Sequence, residues 1–254
     1  MSQWVGDSLE RIKLGLEPLD ALIPDGMIRG SLIGIFGETG TGKSVILNEL
    51  AYRFLQRGED VLFVLLEDLP FSRILSFDAL GFDIRRYLEE GKLKFLDCFS
   101  YRLRGFDIEI EPYLEESVIE AEDPRNPESV WEEIFSRAKE IKGRGVVLID
   151  SMTEFLTIAP DASILLDLMK TAKALLCRYY GIPIIYSFHF GFYDDFRFQI
   201  EVFSDGVIDL RFNPEVVNNA LVKQIRVRRM SGSKHRTEWL TFEVESGKGI
   251  VLVK

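Results

Sequence analysis

From Ser31 to Phe188, short continuous apolar runs alternate with stretches whose apolar residues recur every three or four positions. The runs Ser31 to Phe36, Val61 to Leu66, Leu93 to Asp97, Val146 to Ile149 and Ile182 to Phe188 have the length and branching of strands buried on both faces. Between them, Lys43 to Arg57 places Ile46, Leu47, Leu50, Phe54 and Leu55 on one helical face, with Gly58 as the stop. Further helices are expected from Pro70, over 128–142 and over 161–180. After Phe188 the pattern predicts strands only, at 206–212, 219–229, 237–244 and 249–253, separated by turn-rich segments such as SGSKH and ESGKG. The expected fold is therefore α/β, a mostly parallel sheet flanked by helices that ends in an antiparallel C-terminal extension.

Composition narrows the reading without redirecting it. The 254 residues are 46% hydrophobic and 28% charged, enough to bury a substantial core in one domain spanning 1–254. A formal net charge of −10 argues against nucleic-acid backbone binding as the global task. No run approaches the ~18 apolar residues of a membrane span, and MSQWVGDSLERIK lacks a signal-peptide layout, so a soluble cytoplasmic protein is expected. Cys98 and Cys177 sit in apolar contexts without C-x-x-C spacing and read as reduced packing residues. The low content of Gln and Asn beside abundant Glu and Arg resembles a thermophile's usage. Charge is also unevenly laid out. Asp107 to Asp123 carries eight acids and no base, inside what reads as an acidic surface insertion at about 100–127, whereas 223–236 holds Lys223, Arg226, Arg228, Arg229, Lys234 and Arg236 and no acid.

The chemistry begins after the first strand. Gly37-Glu38-Thr39-Gly40-Thr41-Gly42-Lys43-Ser44 satisfies G-x-x-x-x-G-K-[ST] between a predicted strand and a predicted helix, the setting this phosphate loop requires. Its glycines let successive N–H groups face phosphate oxygens, and the helix that opens at Lys43 and continues through Val45 adds its positive end. The expected ligand is a nucleoside triphosphate, ATP, held by residues 37–45. Lys43 would reach the β- and γ-phosphates and the Ser44 hydroxyl would ligate Mg²⁺. An acid ending a neighbouring apolar strand is needed as the second metal partner, and Asp150 closes Val146-Val147-Leu148-Ile149. Glu67, at the end of Val61 to Leu66, is the candidate to activate water, and Asp68 has a competing task as N-cap of the helix that starts near Pro70.

The stretch Leu16-Glu17-Pro18-Leu19-Asp20, then Gly26, Gly30-Ser31, GETGTGKS, Glu67-Asp68 and Val147-Leu148-Ile149-Asp150-Ser151 resembles the RecA-superfamily ATPases of the KaiC type, in particular their single-domain archaeal relatives. The resemblance implies a RecA-like core that hydrolyses Mg-ATP to ADP between neighbouring subunits of a homo-oligomeric ring, usually a hexamer, with a downstream protein partner that the residues do not name. It also implies that Glu67-Asp68 supplies the catalytic acid and that basic residues on a late strand touch the γ-phosphate of the neighbouring subunit. The matching stretch here is Arg228-Arg229-Met230-Ser231-Gly232. Arg229 holds the place of a lysine and Ser231 that of an arginine, so either Arg228 or Arg229 would act in trans; such arginines are worth about 10³–10⁵ in rate.

Three functions follow as alternatives. The first is a regulatory or signalling ATPase acting through subunit assembly. A second is a non-hydrolysing ATP-binding scaffold similar to the assembly factor of the archaeal flagellum, which Ser231 favours. In a recombinase resembling RadA, the segments after Asp150 and Phe188 would contact single-stranded DNA, but SMTEFLTIAPD has no base and HFGFYDDFRFQIEVFSD has only Arg197 among its acids. His189 and Ser187 both stand where a γ-phosphate sensor would lie, while His235 reads as exposed.

Overall fold

The computed structural model describes residues 10–106, 116–141, 144–159, 161–191, 193–214 and 221–253. Its centre is a 10-stranded sheet in the order β12-β11-β10-β9-β3-β8-β7-β4-β5-β6. Strands β3 (Leu32–Gly37), β4 (Asp60–Leu65), β5 (Leu93–Asp97), β6 (Val118–Glu120), β7 (Gly145–Asp150), β8 (Ile184–His189) and β9 (Gly206–Phe212) run parallel, and β10 (Lys223–Met230), β11 (Leu240–Glu245) and β12 (Gly249–Leu252) continue antiparallel from β9. A separate two-stranded ribbon pairs β1 (Arg11–Ile12) with β2 (Met27–Ile28).

The apolar runs are continuous because each parallel strand has a core on both sides. Ile33, Ile35, Val61, Phe63, Leu65, Val146 and Leu148 face one core, whereas Leu32, Phe36, Leu62, Val64, Val147 and Ile149 face the other. Helix α1 (Glu17–Leu22), α2 (Lys43–Gln56), α3 (Pro70–Ala79) and α4 (Arg85–Glu89) contribute to the first core. The second is covered by α5 (Pro127–Ile141), α6 (Met152–Ile158), α7 (Ala162–Ala172) and α8 (Asp194–Phe203).

The predicted face of α2 is buried as expected. The 161–180 helix is capped by Asp161, whose side chain accepts from Ser163 N–H, but its second half, Lys173–Tyr179, winds with the wider π pitch. Two expectations are corrected. The segment after Asp150, read as a loop, forms α6, and α8 interrupts the strands-only pattern expected after Phe188. In α8, Phe196, Phe198, Ile200 and Val202 alternate as a strand would, yet only Phe196 and Ile200, spaced by one helical turn, are buried.

In the acidic stretch, residues 107–115 lie outside the described residues. Val118–Glu120 next to them pairs with β5 as the sheet's edge, and the buried Ser117 hydroxyl donates to Leu88 O at 2.8 Å. At the other end, the buried Glu49 of α2 accepts from Ile250 N at 2.6 Å and from Arg53 at 2.8 Å, which ties the antiparallel extension to the helix behind the phosphate loop. Gly249 is required there: at φ +87° its position would put a Cβ 2.4 Å from Glu49 Oε2.

Trp131 is fully buried on α5 and stacks on Phe155 of α6 with ring centroids 5.6 Å apart. Trp131→Ala is expected to lower unfolding free energy by about 3–5 kcal/mol, read from urea melts.

Candidate functional site

Parallel pairing brings the carboxyl ends of β3, β4, β7 and β8 to one edge, where Leu65 stands opposite Asp150 and Gly37 opposite His189. This crevice outside the strand ends is where open α/β sheets bind ligands. The loop from Gly37 to Ser44 closes one side. Gly40 at φ +84° and Gly42 at φ +104° adopt the left-handed backbone that the wrap needs, Gly42 directly at the N-terminus of α2. Thr41 Oγ1 donates to Glu38 O at 2.7 Å and stiffens the turn.

Lys43 is buried and its ammonium donates to Gly37 O at 2.9 Å and to Glu38 O at 2.8 Å, so the loop's own carbonyls hold the cation. Burial pulls its pKa down to about 8, against the attraction of Asp150, Glu67 and Glu38. An open cavity of about 410 Å³ adjoins the loop and is lined by residues that include Ser44, Val45, Asn48, Glu67, Asp68 and Asp150. Thr39, with Glu38 and Gly40, lies on the exposed outer part of the loop.

Glu67 follows β4 and is held from two sides. Ser151 donates to Oε1, and His189 Nε2 lies 3.1 Å from Oε2. His189 is fixed in turn by its backbone N–H, which donates to Thr153 Oγ1 at 2.9 Å. Asp68 lines the same cavity, and its Oδ1 accepts from Leu69 N at 2.9 Å. The N-cap position of α3 itself falls on Leu69, with Pro70 opening the helix, so the expected capping by Asp68 is displaced by one residue.

Asp150 is the most enclosed acid of the site, its side chain 2% exposed. Ser187 donates to its Oδ1 at 2.5 Å and Arg73 donates to its Oδ2 at 2.7 Å. Burial pushes the Asp150 carboxyl up, but the Arg73 charge and the hydrogen bonds from Ser187, Ser44 and Arg73 outweigh it and hold the group below its ordinary value. Ser44 and Asp150 are thus brought together as the sequence predicts. A Mg²⁺ ion bound directly to this carboxylate nevertheless does not fit the arrangement, because Oδ1 already accepts from Ser187 and Oδ2 from the Arg73 guanidinium, a cation of fixed charge.

Arg73 is the residue that reading for motifs passed over. It lies with Pro70, Ile74 and Phe77 on the buried face of α3. A charge at a core position of a helix was the available signal.

The late-strand arginines lie on β10, two strands from β3, where Arg229 pairs with Val207 near the amino end of β9, the end of the sheet opposite the loop. Arg228 donates to Asp209 at 3.0 and 2.8 Å and to Glu201 at 2.8 Å, and Arg226 donates to the same Asp209 at 2.8 Å. Arg229 donates to Ser204 O at 2.6 Å and to the carbonyl of the same Glu201, at the C-terminus of α8. The pairing of β9 with β10 shifts register between Val227 and Arg229, and this irregularity lets both Arg228 and Arg229 reach Glu201 of α8. Within the chain, then, Arg226 and Arg228 of the basic strip are paired with Asp209 and Glu201.

With this geometry in place, comparison with known proteins is decisive for the family. A family model described as "ATPase: KaiC" matches residues 12–254. The chain belongs to the KaiC ATPase family. A UPF0273 protein of Thermotoga maritima is 27% identical over 247 residues, covering 96% of both chains. A UPF0273 protein of Pyrococcus furiosus is 26% identical over 247 residues, covering 96% of this chain and 94% of its own. The solved structure of a KaiC-like protein from the hyperthermophilic archaeon Pyrococcus horikoshii superposes with a TM-score of 0.72 at 20% identity, covering 97% of this chain and all of the other, which shows the shared fold. The KaiC-type, RecA-superfamily reading of the sequence is thereby borne out, and with it the α/β class with a mostly parallel sheet and an antiparallel C-terminal segment. Among the described residues of this KaiC-family chain, no helix is long and apolar enough to cross a membrane.

Because the Arg229 guanidinium holds carbonyls at the C-terminus of α8, Arg229→Gln is expected to lower the protomer's stability by about 1–3 kcal/mol. The loss should be independent of protein concentration in thermal melts; a loss that vanishes on dilution would place the role between subunits instead.

Proposed function

We propose that this chain binds ATP in the loop Gly37 to Ser44 and hydrolyses it, with Glu67 as the base. The observation that carries the reading is the meeting of Ser44, Glu67 and Asp150 along one cavity at the carboxyl end of the sheet, with Lys43 at its phosphate loop. Membership of a family described as an ATPase supports nucleotide binding. In the step itself, a water oxygen attacks the γ-phosphorus, its proton passes to a Glu67 oxygen, and the bond to the bridging oxygen of ADP breaks. Ser151 and His189 hold the Glu67 carboxylate in place for the transfer. On binding, the Lys43 ammonium exchanges the carbonyls of Gly37 and Glu38 for phosphate oxygens, which removes much of the burial penalty on its charge.

Phosphate release from ATP tests this directly. Lys43→Ala is expected to abolish release and ATP binding together. Glu67→Gln is expected to keep ATP binding while kcat falls by about 10²–10⁴. Equal turnover in wild type and Glu67→Gln would remove Glu67 from the role.

The non-hydrolysing scaffold is the second reading, and a specific observation favours it. Arg228 and Arg229, the candidates for a trans-acting charge, are both engaged inside their own protomer. ATP retained unhydrolysed through long incubation would select that reading. The recombinase reading gains no support, since the segments expected to touch DNA form α6 and α8, with Glu154, Asp194, Asp195 and Glu201 outnumbering Arg197.

We also propose assembly of copies of this chain, with the hexamer as the form that the resemblance implies. Its support is on α8, where Phe198 and Val202, one turn apart, are 68% and 60% exposed beside Arg228. Phe198→Glu combined with Val202→Glu is expected to convert the assembly to protomers in light scattering, with the circular dichroism spectrum unchanged.

A further inference from the structure

Arg73 is the best-buried guanidinium in contact with the nucleotide site, its side chain 4% exposed, and three observations define what it does there. Its Nη2 donates to Asp150 Oδ2 at 2.7 Å, its Nη1 donates to Asn48 Oδ1 at 3.3 Å, and its guanidinium lies over the Phe63 ring, 5.1 Å from the centroid. The ring and the amide fix the group in one orientation, and its Nε is buried with no partner. Such an arrangement is not that of a surface arginine swung in by chance. It places a permanent single positive charge on the carboxylate that would otherwise serve a divalent metal ion.

The energetics favour the incumbent. A buried ion pair broken by removal of one partner is strongly destabilised, because the charge left behind is uncompensated. A metal ion that displaced Arg73 from Asp150 would take the guanidinium off its buried carboxylate partner and leave it over the Phe63 ring with Asn48 Oδ1 as its remaining hydrogen-bond acceptor. A metal ion that entered beside it would sit within a few ångströms of a like charge. Asp150 Oδ1, the other oxygen, already accepts from Ser187. Arg73 cannot relieve either conflict by losing its proton.

We propose that Arg73 is a built-in counter-cation that takes the place of a metal ion at Asp150, so that this chain binds ATP with little dependence on Mg²⁺. The inference rests on the nucleotide-binding reading above and goes beyond it: the phosphate charge is met by Lys43, by the N–H groups of the loop and by an Asp150 already neutralised from inside the fold. Asp150 is accordingly a structural anchor for the wall of the cavity and not the outer ligand of a metal.

The test is equilibrium dialysis of radiolabelled ATP against the full chain, with Mg²⁺ present or with excess EDTA. For wild type, the dissociation constant is expected to change by less than about threefold between the two conditions. In Arg73→Leu, which frees the Asp150 carboxylate, EDTA is expected to weaken binding by about tenfold or more. A wild-type affinity that falls tenfold or more in EDTA overturns the inference while leaving ATP binding intact. The wild-type comparison needs no variant, so it decides the matter even where Arg73→Leu does not fold. Absence of ATP binding under both conditions overturns the nucleotide reading and this inference with it.

Discussion

Asp150 closes an interior strand of a sheet that is covered on both faces, and a negative charge in such a place has to be matched by groups the protein itself supplies. The match draws on three different parts of the chain. Arg73 comes from the helix after β4, Ser187 from β8 and Ser44 from the first turn of α2. Each reaches Asp150 only because the strand order puts β7 between β4 and β8, with the phosphate loop beyond β8. The buried carboxylate therefore acts as the point at which the loop, the helix α3 and the sheet are fastened to one another. Glu67 and Lys43 take their positions around it.

Two carboxylates share this edge of the sheet in different environments. Asp150 is sealed and fully occupied, whereas the Glu67 side chain is 27% exposed and is held only from its sides by Ser151 and His189. A sealed, ion-paired acid is suited to holding structure, and a half-exposed one within a cavity is suited to meeting water and substrate. The motif residues at the two strand ends look equivalent in the sequence; their surroundings give them separate tasks. Lys43 has a comparable division of states, since its charge is carried by loop carbonyls when no phosphate is there to receive it.

The antiparallel extension solves its own electrostatic problem. Arg226 and Arg228 converge on Asp209, and Arg211 and Arg226 stack on Trp239 with guanidinium-to-centroid distances of 3.9 and 4.5 Å. Arg229 meanwhile satisfies carbonyls at the end of α8, groups that a helix C-terminus otherwise leaves open. Composition presents residues 223–236 as a basic strip, but acids brought from β9 and α8 offset Arg226 and Arg228 within it. Net charge along the chain does not describe net charge in space.

The sequence by itself determined the strands, the phosphate loop and the acids at the strand ends. Each rests on local chemistry: continuous apolar runs need burial on both faces, and the loop's glycines supply positive φ at Gly40 and Gly42, +84° and +104°, and room for a close backbone approach at Gly37. The sequence was a poor guide to α8, because Phe196 to Val202 satisfies both a two-residue and a four-residue repeat and only packing against the second core selects the helix. It could not place Arg73 on Asp150, 77 positions apart, or Asp209 beneath Arg226 and Arg228. Ion pairs of that kind are set by which strands become neighbours and by how far a long side chain reaches. Those are properties of the folded sheet, and they decide whether an acid that looks like a metal ligand is free to be one.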